Sequence, residues 1–585
     1  MSQPAADIPV VADIPRRRRA LEERHGPWRP RRLSEMLDAV ADEYAHRPYV
    51  IAESRTYTYG ELRDWSRRVA RGLVAAGIGP GDHVALVAPN WPETVAVRFG
   101  IARAGAVAVP VNFQLRAEEL AYILQQSRAV AVVTMEEFRG IDALDALDRI
   151  VPDWERGRAV NLPDLRFVAT VPADGGASRR PGATTLADLE RGPDDALDAE
   201  LARRAEAMDP RDTATIFYTS GTTGHPKGVL STHDMELRSA YASAYTRGFE
   251  DGRRIAFALP LHHVFAYIEG LLASMFAAGS VVMQAAFDPR ASLEAVARHG
   301  VGELLYVPTM SLAVVDAARA GDYDVSTLHS VMSAAQSAPA RLWHDLREVL
   351  GLEQLVTAYG MTETSAATTY TMPGDPVELL VETVGRPKPG GVAGDPELSG
   401  LVAVYKAVDP DGGGDLPQGQ PGELVTRGPI VGRGYYGKAA ETAAAILPGG
   451  WLRSGDLGYV RDDGYLVLTG RSKELYKCGG ELVMPTEVED RLTRRSDVHQ
   501  AYVVGVPDER MGEVGCAWVV PAEDAKPDAD ELIAYCRDQL ARFKAPRYVL
   551  FAAAEELPLT ASGKVQKFKL AQRAVAELGL DGSDA

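Results

Sequence analysis

The segment Tyr218-Thr219-Ser220-Gly221-Thr222-Thr223-Gly224-His225-Pro226-Lys227-Gly228 is the most informative stretch of the 585-residue chain. It follows a β-branched and aromatic run, residues 213–218, that contains no Gly or Pro and predicts a buried strand. Its glycines let the backbone turn tightly, while successive N–H groups and the Ser and Thr hydroxyls form a donor-rich concavity that suits phosphate. Lys227 adds a positive charge on a flexible stem. The segment therefore predicts a phosphate-binding loop at the end of a strand.

The same residues could also form a Gly-rich surface turn with a solvated lysine. Their spacing differs from that of the common P-loop, in which Gly-Lys precedes Ser or Thr, because Gly228 follows Lys227. The segment resembles instead the phosphate-loop signature of the adenylate-forming enzymes, which include acyl-CoA synthetases, adenylation domains of peptide synthetases and luciferases. The rest of the chain has to decide between these interpretations.

Composition is that of a large globular protein. Hydrophobic residues make up 46% and charged residues 25%, and 63 basic against 81 acidic residues give a net charge of −18. This total argues against a nucleic-acid or anionic-membrane binder, although a local basic patch suffices for ATP or CoA. The three cysteines are odd in number and lack Cys-x-x-Cys spacing, which argues against a disulfide framework or a zinc site. Without a signal-peptide pattern or a convincing membrane span, we expect a cytoplasmic protein with no integral membrane association.

Alternating strand and helix patterns predict an α/β fold. Between Tyr49 and about Pro172, short β-branched runs are separated by helical patterns such as Ala117 to Gln126, which is typical of a parallel sheet covered on both faces. A second alternating set follows the phosphate loop. Beyond Thr383, frequent Gly and Pro with shorter strands favour a β-rich subdomain, and strand and helix alternate again near the end.

The predicted chain has three parts. Residues 1–32, with a basic run from Arg16 to Arg19, are expected to form a flexible, solvated arm. Residues 33–470 are expected to form a large N-terminal domain of two sheet-helix layered subdomains plus the β-rich subdomain. Residues 471–585 are expected to form a small α+β C-terminal domain.

Four further segments are ordinary when taken singly. They would be a turn that opens a helix (358–364), a Gly-Asp turn (450–458), a polar linker (470–489) and a Gly turn with a solvated lysine (558–567). Together with the phosphate loop, they resemble the adenylate-forming superfamily in the expected order, from about residue 33 to 570. The chain is identified as a member of that superfamily, of the fatty-acid- or aryl-CoA ligase type.

The resemblance implies a nucleotide site with separate contacts for phosphates, adenine, ribose and Mg²⁺. The implied ATP- and AMP-binding residues are Thr219, Ser220, Gly221, Thr222, Thr223, Gly224, Lys227, Ala334, Ala335, Gln336, Tyr359, Gly360, Asp456, Arg471 and Lys564. Within this set Tyr359 is assigned to adenine, Asp456 to ribose, and Arg471 to ribose and phosphate. The implied catalytic residues are Lys564, His263, Thr362 and Glu363, and the implied metal ligands are Thr222 and Glu363.

The resemblance also implies an acyl pocket, a thiol tunnel and a hinge. His263, more than its neighbour His262, matches the histidine beside the acyl carboxylate. Lys473 matches the hinge about which a mobile C-terminal domain rotates. Cys478 is expected to be a bystander in the tunnel, because nothing basic is placed to activate it. The implied residues are His263, Val264, Phe265, Ala266, Met310, Ser333 and Ala358 for the acyl pocket, and Lys473, Cys478, Gly479 and Gly480 for CoA.

One departure from the family pattern bears on adenylation. Residues 333–339 read Ser-Ala-Ala-Gln-Ser-Ala-Pro, where the family usually has a Gly-rich segment. A methyl group at Ala334 could crowd the adenine or restrict the loop. Either the substitution is tolerated, or adenylation is weak and the enzyme mainly thioesterifies a preformed acyl-adenylate.

The resulting prediction is an AMP-forming acyl-CoA synthetase. It would use ATP, Mg²⁺ and coenzyme A to activate a carboxylic acid, with a medium to bulky apolar acid favoured by the mixed pocket residues. Alternatives are an adenylation enzyme that loads a separate carrier protein, a luciferase-like oxygenase and a catalytically dead interaction protein. The presence of Lys227, Glu363, Asp456, Arg471 and Lys564 disfavours the last. The oligomeric state is not predicted.

Overall fold

The computed structural model describes residues 13–152, 154, 161–173, 175–219, 226–336, 338–410, 413–471, 474, 476–478, 481–508, 510–559 and 565–580. These residues divide into two units. The first contains the described residues up to Val404 together with Arg427–Gly450, and the second contains Tyr405–Thr426 together with the described residues from Trp451 onward.

Two mostly parallel sheets dominate the first unit. Its strands are β1 (Pro48–Ile51), β2 (Thr56–Thr58), β3 (His83–Val87), β4 (Val107–Val111), β5 (Ala131–Met135), β6 (Glu137–Phe138), β7 (Ile141–Asp142), β8 (Phe167–Val171), β9 (Thr184–Thr185), β10 (Thr213–Thr219), β11 (Lys227–Thr232), β12 (Arg254–Phe257), β13 (Ser280–Met283), β14 (Glu303–Tyr306), β15 (Ser330–Ser333), β16 (Gln354–Val356), β17 (Ala358–Met361), β18 (Ala366–Tyr370) and β19 (Arg386–Pro387).

Helices alternate with these strands, as the sequence predicts. They are α1 (Ile14–His25), α2 (Leu33–Tyr44), α3 (Tyr59–Ala75), α4 (Pro92–Arg103), α5 (Ala117–Gln126), α6 (Ala143–Ile150), α7 (Leu186–Leu189), α8 (Asp195–Ala207), α9 (His233–Arg247), the π-helix (Phe265–Leu272), α10 (Ala273–Met275), α11 (Pro289–His299), α12 (Pro308–Ala320), α13 (Ala340–Leu350), α14 (Val377–Glu382) and α15 (Ala439–Ala445). Short 3₁₀ turns cover Thr362–Thr364, Gly391–Ala393 and Pro396–Leu398.

Each large sheet has seven strands. The first has the order β11-β10-β4-β3-β5-β8-β9, and only the edge pair β10–β11 is antiparallel. The second has the order β16-β15-β14-β12-β13-β1-β2, and only β1–β2 is antiparallel. A smaller antiparallel sheet, β17-β18-β19, follows. The predicted α/β class with two layered subdomains is confirmed.

Among the described residues, the second unit is built from two largely antiparallel sheets and three helices. In the first of these sheets β21 lies between β20 and β23, and β24 pairs with β23; in the other the order is β26-β25-β28-β27, with β29 parallel to β28. The strands are β20 (Val404–Val408), β21 (Gly422–Arg427), β23 (Trp451–Val460), β24 (Leu466–Arg471), β25 (Tyr476–Cys478), β26 (Glu481–Val483), β27 (Val498–Asp508), β28 (Gly512–Pro521) and β29 (Tyr548–Phe551), while β22 (Ile446–Leu447) belongs to the first unit. The helices are α16 (Pro485–Leu492), α17 (Ala529–Gln539) and α18 (Lys567–Leu578), and Ala554–Glu556 forms a 3₁₀ turn.

The N-terminal prediction is wrong for the described part of the arm. Residues 14–25 form α1, in which Ile14, Leu21 and His25 are buried. The helix packs on α9, and the Arg18 guanidinium donates to the carbonyl oxygens of Tyr245 and Thr246 at 2.9 and 2.7 Å. Arg18 of the basic run therefore helps to hold a helix that begins before Leu33, whereas Arg16 and Arg19 are exposed.

The predicted domain boundary at Arg471 also differs from the observed division. Strand β24 pairs with β23 and contacts α16, where the Thr486 hydroxyl donates to the carbonyl of Thr469 at 2.7 Å. These contacts group the β-rich segments with the C-terminal residues. The predicted hinge, Lys473, lies outside the described residues and stays a prediction.

Across the described ranges, no helix combines the length and the apolar character that crossing a bilayer requires.

Candidate functional site

Four neighbouring strands of the second sheet bring predicted site residues to one edge. Strands β12, β14, β15 and β16 are adjacent and parallel, so their carboxyl ends lie together. Crevices at the carboxyl ends of parallel strands are the usual ligand sites of open α/β sheets. The residues that follow these strand ends are His263, Met310, Ala334 to Gln336, and Ala358 to Gly360.

The turn that carries His263 is held by two buried polar side chains. The Asn90 amide donates to the carbonyl of Leu259 at 2.9 Å and accepts from the Leu261 N–H at 2.8 Å. The Arg98 guanidinium donates to the Leu261 carbonyl at 3.0 Å. Because these bonds hold the turn at Leu259 and Leu261, His263 lies in a defined position just before the π-helix.

The two adjacent histidines differ in their environments. The Nδ1 atom of His263 accepts from the N–H of Phe265 at 3.2 Å, so in the neutral ring the proton resides on Nε2 and can be donated. Burial, assisted by the neighbouring His263, lowers the pKa of His262 to about 3. These environments favour His263 for contact with an anionic substrate group.

The predicted acyl-pocket residues come together. Val264, Ala266 and Ala358 are buried in one apolar cluster, and Phe265 and Met310 pack against it. The Ser333 hydroxyl, also buried, shares a 2.9 Å hydrogen bond with the Ser311 hydroxyl. Its polar group is thereby satisfied, which leaves a largely apolar wall.

Backbone strain in the segment after β15 lies one residue beyond the predicted position. Ala334 is buried, its N–H donates to the Tyr306 carbonyl at 3.2 Å, and it is not among the described residues with positive φ. The exposed Ala335 instead adopts a φ of 75°, in the region that favours glycine. Any penalty of the missing glycine therefore falls first on Ala335, and crowding by Ala334 stays a prediction.

Replacing Ala335 by Gly is expected to stabilise the protein by about 0.5–1 kcal/mol, because relief of the left-handed strain outweighs the entropy gained by the unfolded chain. The neighbouring Ala334→Gly variant is the matched control, since it gains the same freedom without relieving strain and should lose stability. Urea unfolding of both variants measures the difference. Equal shifts of the two midpoints would contradict the assignment of strain to Ala335.

Predicted adenine and phosphate contacts lie on the hairpin β17–β18. Tyr359, Gly360, Thr362 and Glu363 are all half-buried, as residues that contact a ligand should be. A β-bulge between Tyr359 and Gly360 brings the strands so close that a Cβ on Gly360 would lie 1.9 Å from the Ala366 carbonyl oxygen. The hairpin thus requires glycine at this position.

Lys227, Tyr435 and Glu363 form a cluster that sequence reasoning did not find. The Tyr435 hydroxyl donates to Glu363 Oε1 at 2.9 Å, and Lys227 Nζ lies 5.0 Å from the centre of the Tyr435 ring. The Gly432 N–H also donates to the Glu363 carbonyl at 2.6 Å. Burial, and next the Glu363 carboxylate, raise the pKa of Tyr435, which therefore remains a donor at neutral pH. The lysine lies opposite Thr219 in the β10–β11 pair, at the base of the phosphate loop.

The donor set fits Mg²⁺ held on a nucleotide. Within the described part of the chain, no group of three or more His, Cys, Asp or Glu side chains could hold a metal by itself. Mg²⁺ typically takes one or two protein carboxylates and completes its shell with waters and substrate phosphates. A single oriented carboxylate, Glu363, beside a lysine meets that requirement.

The second unit holds the other predicted residues. Asp456 is buried, its N–H is bonded to the Ser454 hydroxyl at 3.0 Å, and it pairs in register with Arg471 across β23 and β24. Cys478 is buried opposite Glu481 in the β25–β26 hairpin, and desolvation raises the pKa of its thiol, as expected of an unreactive bystander.

The predicted residues Ser220, Gly221, Thr222, Thr223, Gly224, Lys473, Gly479, Gly480 and Lys564 lie outside the described residues.

Comparisons with known proteins agree over nearly the whole chain. The model of the AMP-binding enzyme family matches residues 37–436, and that of the AMP-binding enzyme C-terminal domain matches residues 487–564. The chain is 36% identical, over 91% of its length and 97% of the relative, to 3-[(3aS,4S,7aS)-7a-methyl-1,5-dioxo-octahydro-1H-inden-4-yl]propanoyl:CoA ligase of Mycobacterium tuberculosis. It is 30% identical, over 95% of its length and 90% of the relative, to the mitochondrial medium-chain acyl-CoA ligase ACSF2 of Danio rerio. Among solved structures, ATP-bound MatB from Rhodopseudomonas palustris superposes with a TM-score of 0.77 at 26% identity, covering 92% of this chain and 99% of that one.

Proposed function

The chain belongs to the family of AMP-binding enzymes, and from that premise we propose that it is an AMP-forming acyl-CoA synthetase. It activates a carboxylic acid with ATP to an acyl-adenylate and transfers the acyl group to the thiol of coenzyme A. The observation that carries the proposal is the meeting of His263, Ala334 to Gln336 and Tyr359 at one sheet edge, with Glu363 continuing the hairpin.

The first half-reaction needs alignment more than covalent help. The substrate carboxylate attacks the α-phosphorus of ATP in line with departing pyrophosphate, and charge neutralisation lowers the barrier. His263 Nε2–H would orient the carboxylate, Thr362 would donate to the α-phosphate, and Tyr359 would stack on the adenine. Lys227 would follow the leaving pyrophosphate. Lys564 is proposed to bridge the carboxylate and the α-phosphate and so stabilise the transition state.

Glu363, with the loop residue Thr222, would hold the Mg²⁺ ion that accompanies ATP. When bound, the ion neutralises charge on the phosphates. Tyr435 holds the Oε1 atom of Glu363 by its hydrogen bond, and the other carboxylate oxygen, Oε2, is proposed to contact the ion.

The second half-reaction transfers the acyl group to a thiol, and AMP leaves. Gly479 and Gly480 are proposed to line the passage for the pantetheine arm, where the absence of side chains permits close approach. Asp456 and Arg471 would bind the ribose. We propose that the C-terminal residues rotate about Lys473 between the two half-reactions, because Lys564 and the Gly479–Gly480 loop serve different steps.

The acid is proposed to be medium to bulky and apolar. Val264, Phe265, Ala266 and Met310 supply an apolar wall, and among them there is no charged partner for a polar substrate tail.

Cys478, Cys516 and Cys536 are buried free thiols, which fits a reducing cytoplasm.

Two single-turnover experiments test the proposal. In the first, enzyme, Mg·ATP and acid are mixed and acyl-adenylate is quantified. In the second, coenzyme A or a holo-carrier protein is added and the thioester is quantified. Transfer to coenzyme A supports the proposal, whereas transfer only to the carrier would replace it with carrier loading. The second experiment is repeated with synthetic acyl-adenylate in place of ATP and acid. Thioester formed from the acyl-adenylate, but not from ATP and acid, would indicate weak adenylation.

Replacing Tyr435 by Phe is expected to raise the Mg²⁺ concentration for half-maximal pyrophosphate exchange by about tenfold, because residues that orient a metal-binding carboxylate typically contribute 10–100-fold to affinity. The ring beside Lys227 is retained, so the ATP concentration dependence at saturating Mg²⁺ should change little. Tyr436→Phe is the control, since that ring packs edge-on against His83 at 4.8 Å and is not bonded to Glu363. An unchanged Mg²⁺ dependence in Tyr435→Phe would refute the role.

A further inference from the structure

An ionic network lies inside the first unit. Arg247, Arg253, Glu269, Glu303 and Lys388 are all fully buried, and Arg253 also pairs with the partly exposed Glu250 at 2.9 Å. Glu303 pairs with both arginines, and its Oε2 lies 2.5 Å from Arg253 Nη1. Three cations face three carboxylates, so each desolvated charge has a partner. Such networks persist only where their geometry is closely satisfied.

Glu269 is the member of this network that belongs to the π-helix. Its Oε1 accepts from the Ala367 N–H at 3.2 Å and lies 4.0 Å from Lys388 Nζ. Its Oε2 accepts from the Tyr370 hydroxyl and lies 3.5 Å from Arg247 Nη2, which also donates to the Glu269 carbonyl at 2.6 Å. The carboxylate therefore joins the π-helix to strand β18 and to the end of α9.

The two elements joined by Glu269 carry opposite halves of the candidate site. The π-helix begins two residues after His263, and its first residues, Phe265 and Ala266, are predicted residues of the acyl pocket. Strand β18 pairs with β17, with Ala367 opposite Gly360 and Thr369 opposite Tyr359. Glu269 therefore helps to fix the position of the acyl wall relative to the nucleotide hairpin.

The packing around the π-helix leaves little room for adjustment. A Cβ on Gly270 would lie 2.8 Å from the Phe257 ring and 3.2 Å from Leu305, so this helix sits directly on β12 and β14. Helices of this type are rare and are found frequently at functional sites. The π-helix therefore has little space in which to shift beside Glu269.

Lys388 anchors the same carboxylate from another side. Its Nζ donates to the Ser239 carbonyl at 3.1 Å and to the hydroxyls of Ser239 and Ser243 at 3.0 Å each, all on α9. Burial lowers the pKa of Lys388 to about 8, and the Glu269 carboxylate opposes that shift. The lysine is thus largely charged at neutral pH and complements Glu269.

We propose that Glu269 is a positioning residue for adenylation, which sets the acyl wall against the nucleotide hairpin so that carboxylate and α-phosphate meet in line. The inference rests on the proposed function. It predicts that loss of Glu269 slows adenylation, in which the acid and ATP are separate and must be aligned. Thioesterification of a preformed acyl-adenylate should change little, because the acyl and nucleotide groups are already joined.

The test compares Glu269→Gln with Glu303→Gln. Both variants remove one buried negative charge from the same network, but Glu303 contacts neither the π-helix nor β18 through its carboxylate. Pyrophosphate exchange is measured with straight-chain C6 to C12 acids and aryl-propanoic acids, using the acid that gives the fastest wild-type exchange. Thioesterification is measured separately with the matching synthetic acyl-adenylate and coenzyme A, and thermal unfolding of each variant is recorded.

We expect the kcat for pyrophosphate exchange of Glu269→Gln to be at least tenfold lower than that of Glu303→Gln, with an unchanged KM for ATP. The thioesterification rate of Glu269→Gln should stay within about twofold of the wild-type rate. Equal losses in both half-reactions would overturn the proposal, since they indicate a structural role only. If Glu269→Gln does not fold, Tyr370→Phe removes just the hydroxyl donor to Oε2 and should show the same split to a smaller extent. If the wild-type protein gives neither exchange nor thioester with any acid, the proposed function fails before a variant is compared.

Discussion

Replacing Lys564 by Ala is expected to lower kcat for adenylation about 10²–10³-fold, because the proposed mechanism assigns to this lysine the positive charge that stabilises the developing transition state. Thioesterification of supplied acyl-adenylate should stay within about twofold, since that step does not pass through the same charge distribution. Pyrophosphate exchange reports the first step, and acyl-CoA formation from synthetic acyl-adenylate reports the second. The split between the two distinguishes a catalytic lysine from one that supports the fold.

Lys569→Ala is the matched control for Lys564. It removes the same charge from an exposed position in α18, where Nζ lies 5.9 Å from the Phe568 ring centre. Both half-reactions of this variant should match those of the wild-type protein. Comparable exchange in the two variants would rule out Lys564 as the catalytic residue, and loss of both half-reactions in Lys564→Ala would point to misfolding or a shared role.

Replacing Arg247 by Met is expected to destabilise the first unit by about 3–5 kcal/mol, because it removes one of the cations that compensate the buried carboxylates of Glu269 and Glu303. Arg247 bonds Glu303 and the Glu269 carbonyl, and its guanidinium lies 4.6 Å from the Phe249 ring centre. Water cannot replace the lost guanidinium as a partner of Glu269 and Glu303, since both side chains are fully buried. Urea unfolding followed by circular dichroism measures the loss.

The control for Arg247 is Arg298→Met. Arg298 is 69% exposed and pairs with Glu294 at 3.8 Å, one turn away on the same helix. Exposed pairs of this kind contribute about 0–1 kcal/mol, so the midpoint should barely move. Similar shifts for the two variants would contradict the view that the buried network holds the first unit together.

The architecture was largely predictable because hydrophobic periodicity is local information. Helix α5 is predicted and observed at Ala117–Gln126. The contiguous motifs also predict Tyr359 and Glu363 as site residues, since each motif holds its candidate residues together in the sequence. The order of strands in the sheets and the division at Trp451 depend on long-range pairing, which periodicity does not encode.

The residues that sequence reasoning missed act through distant partners. Tyr435 lies 72 residues from Glu363, and Lys388 bonds α9 from 149 residues away. One signal was available: Glu269 is the only charged residue between His263 and Asp288. A lone charge in an apolar run indicates a buried partner, because an unpaired buried charge is too costly to persist. The arm prediction failed for a related reason, since the basic run of α1 finds its acceptors on α9.

A carboxylic-acid panel, scored separately for acyl-adenylate and acyl-CoA, tests the central claim most directly. Wild-type protein is incubated with Mg·ATP, coenzyme A and each of a set of short, medium-chain, aryl and fused-ring acids, and AMP, pyrophosphate and thioester are quantified together. We predict equal amounts of AMP, pyrophosphate and acyl-CoA with at least one medium to bulky apolar acid. Release of ADP instead of AMP, or no acid-dependent formation of acyl-adenylate or thioester with any member of the panel, would contradict it.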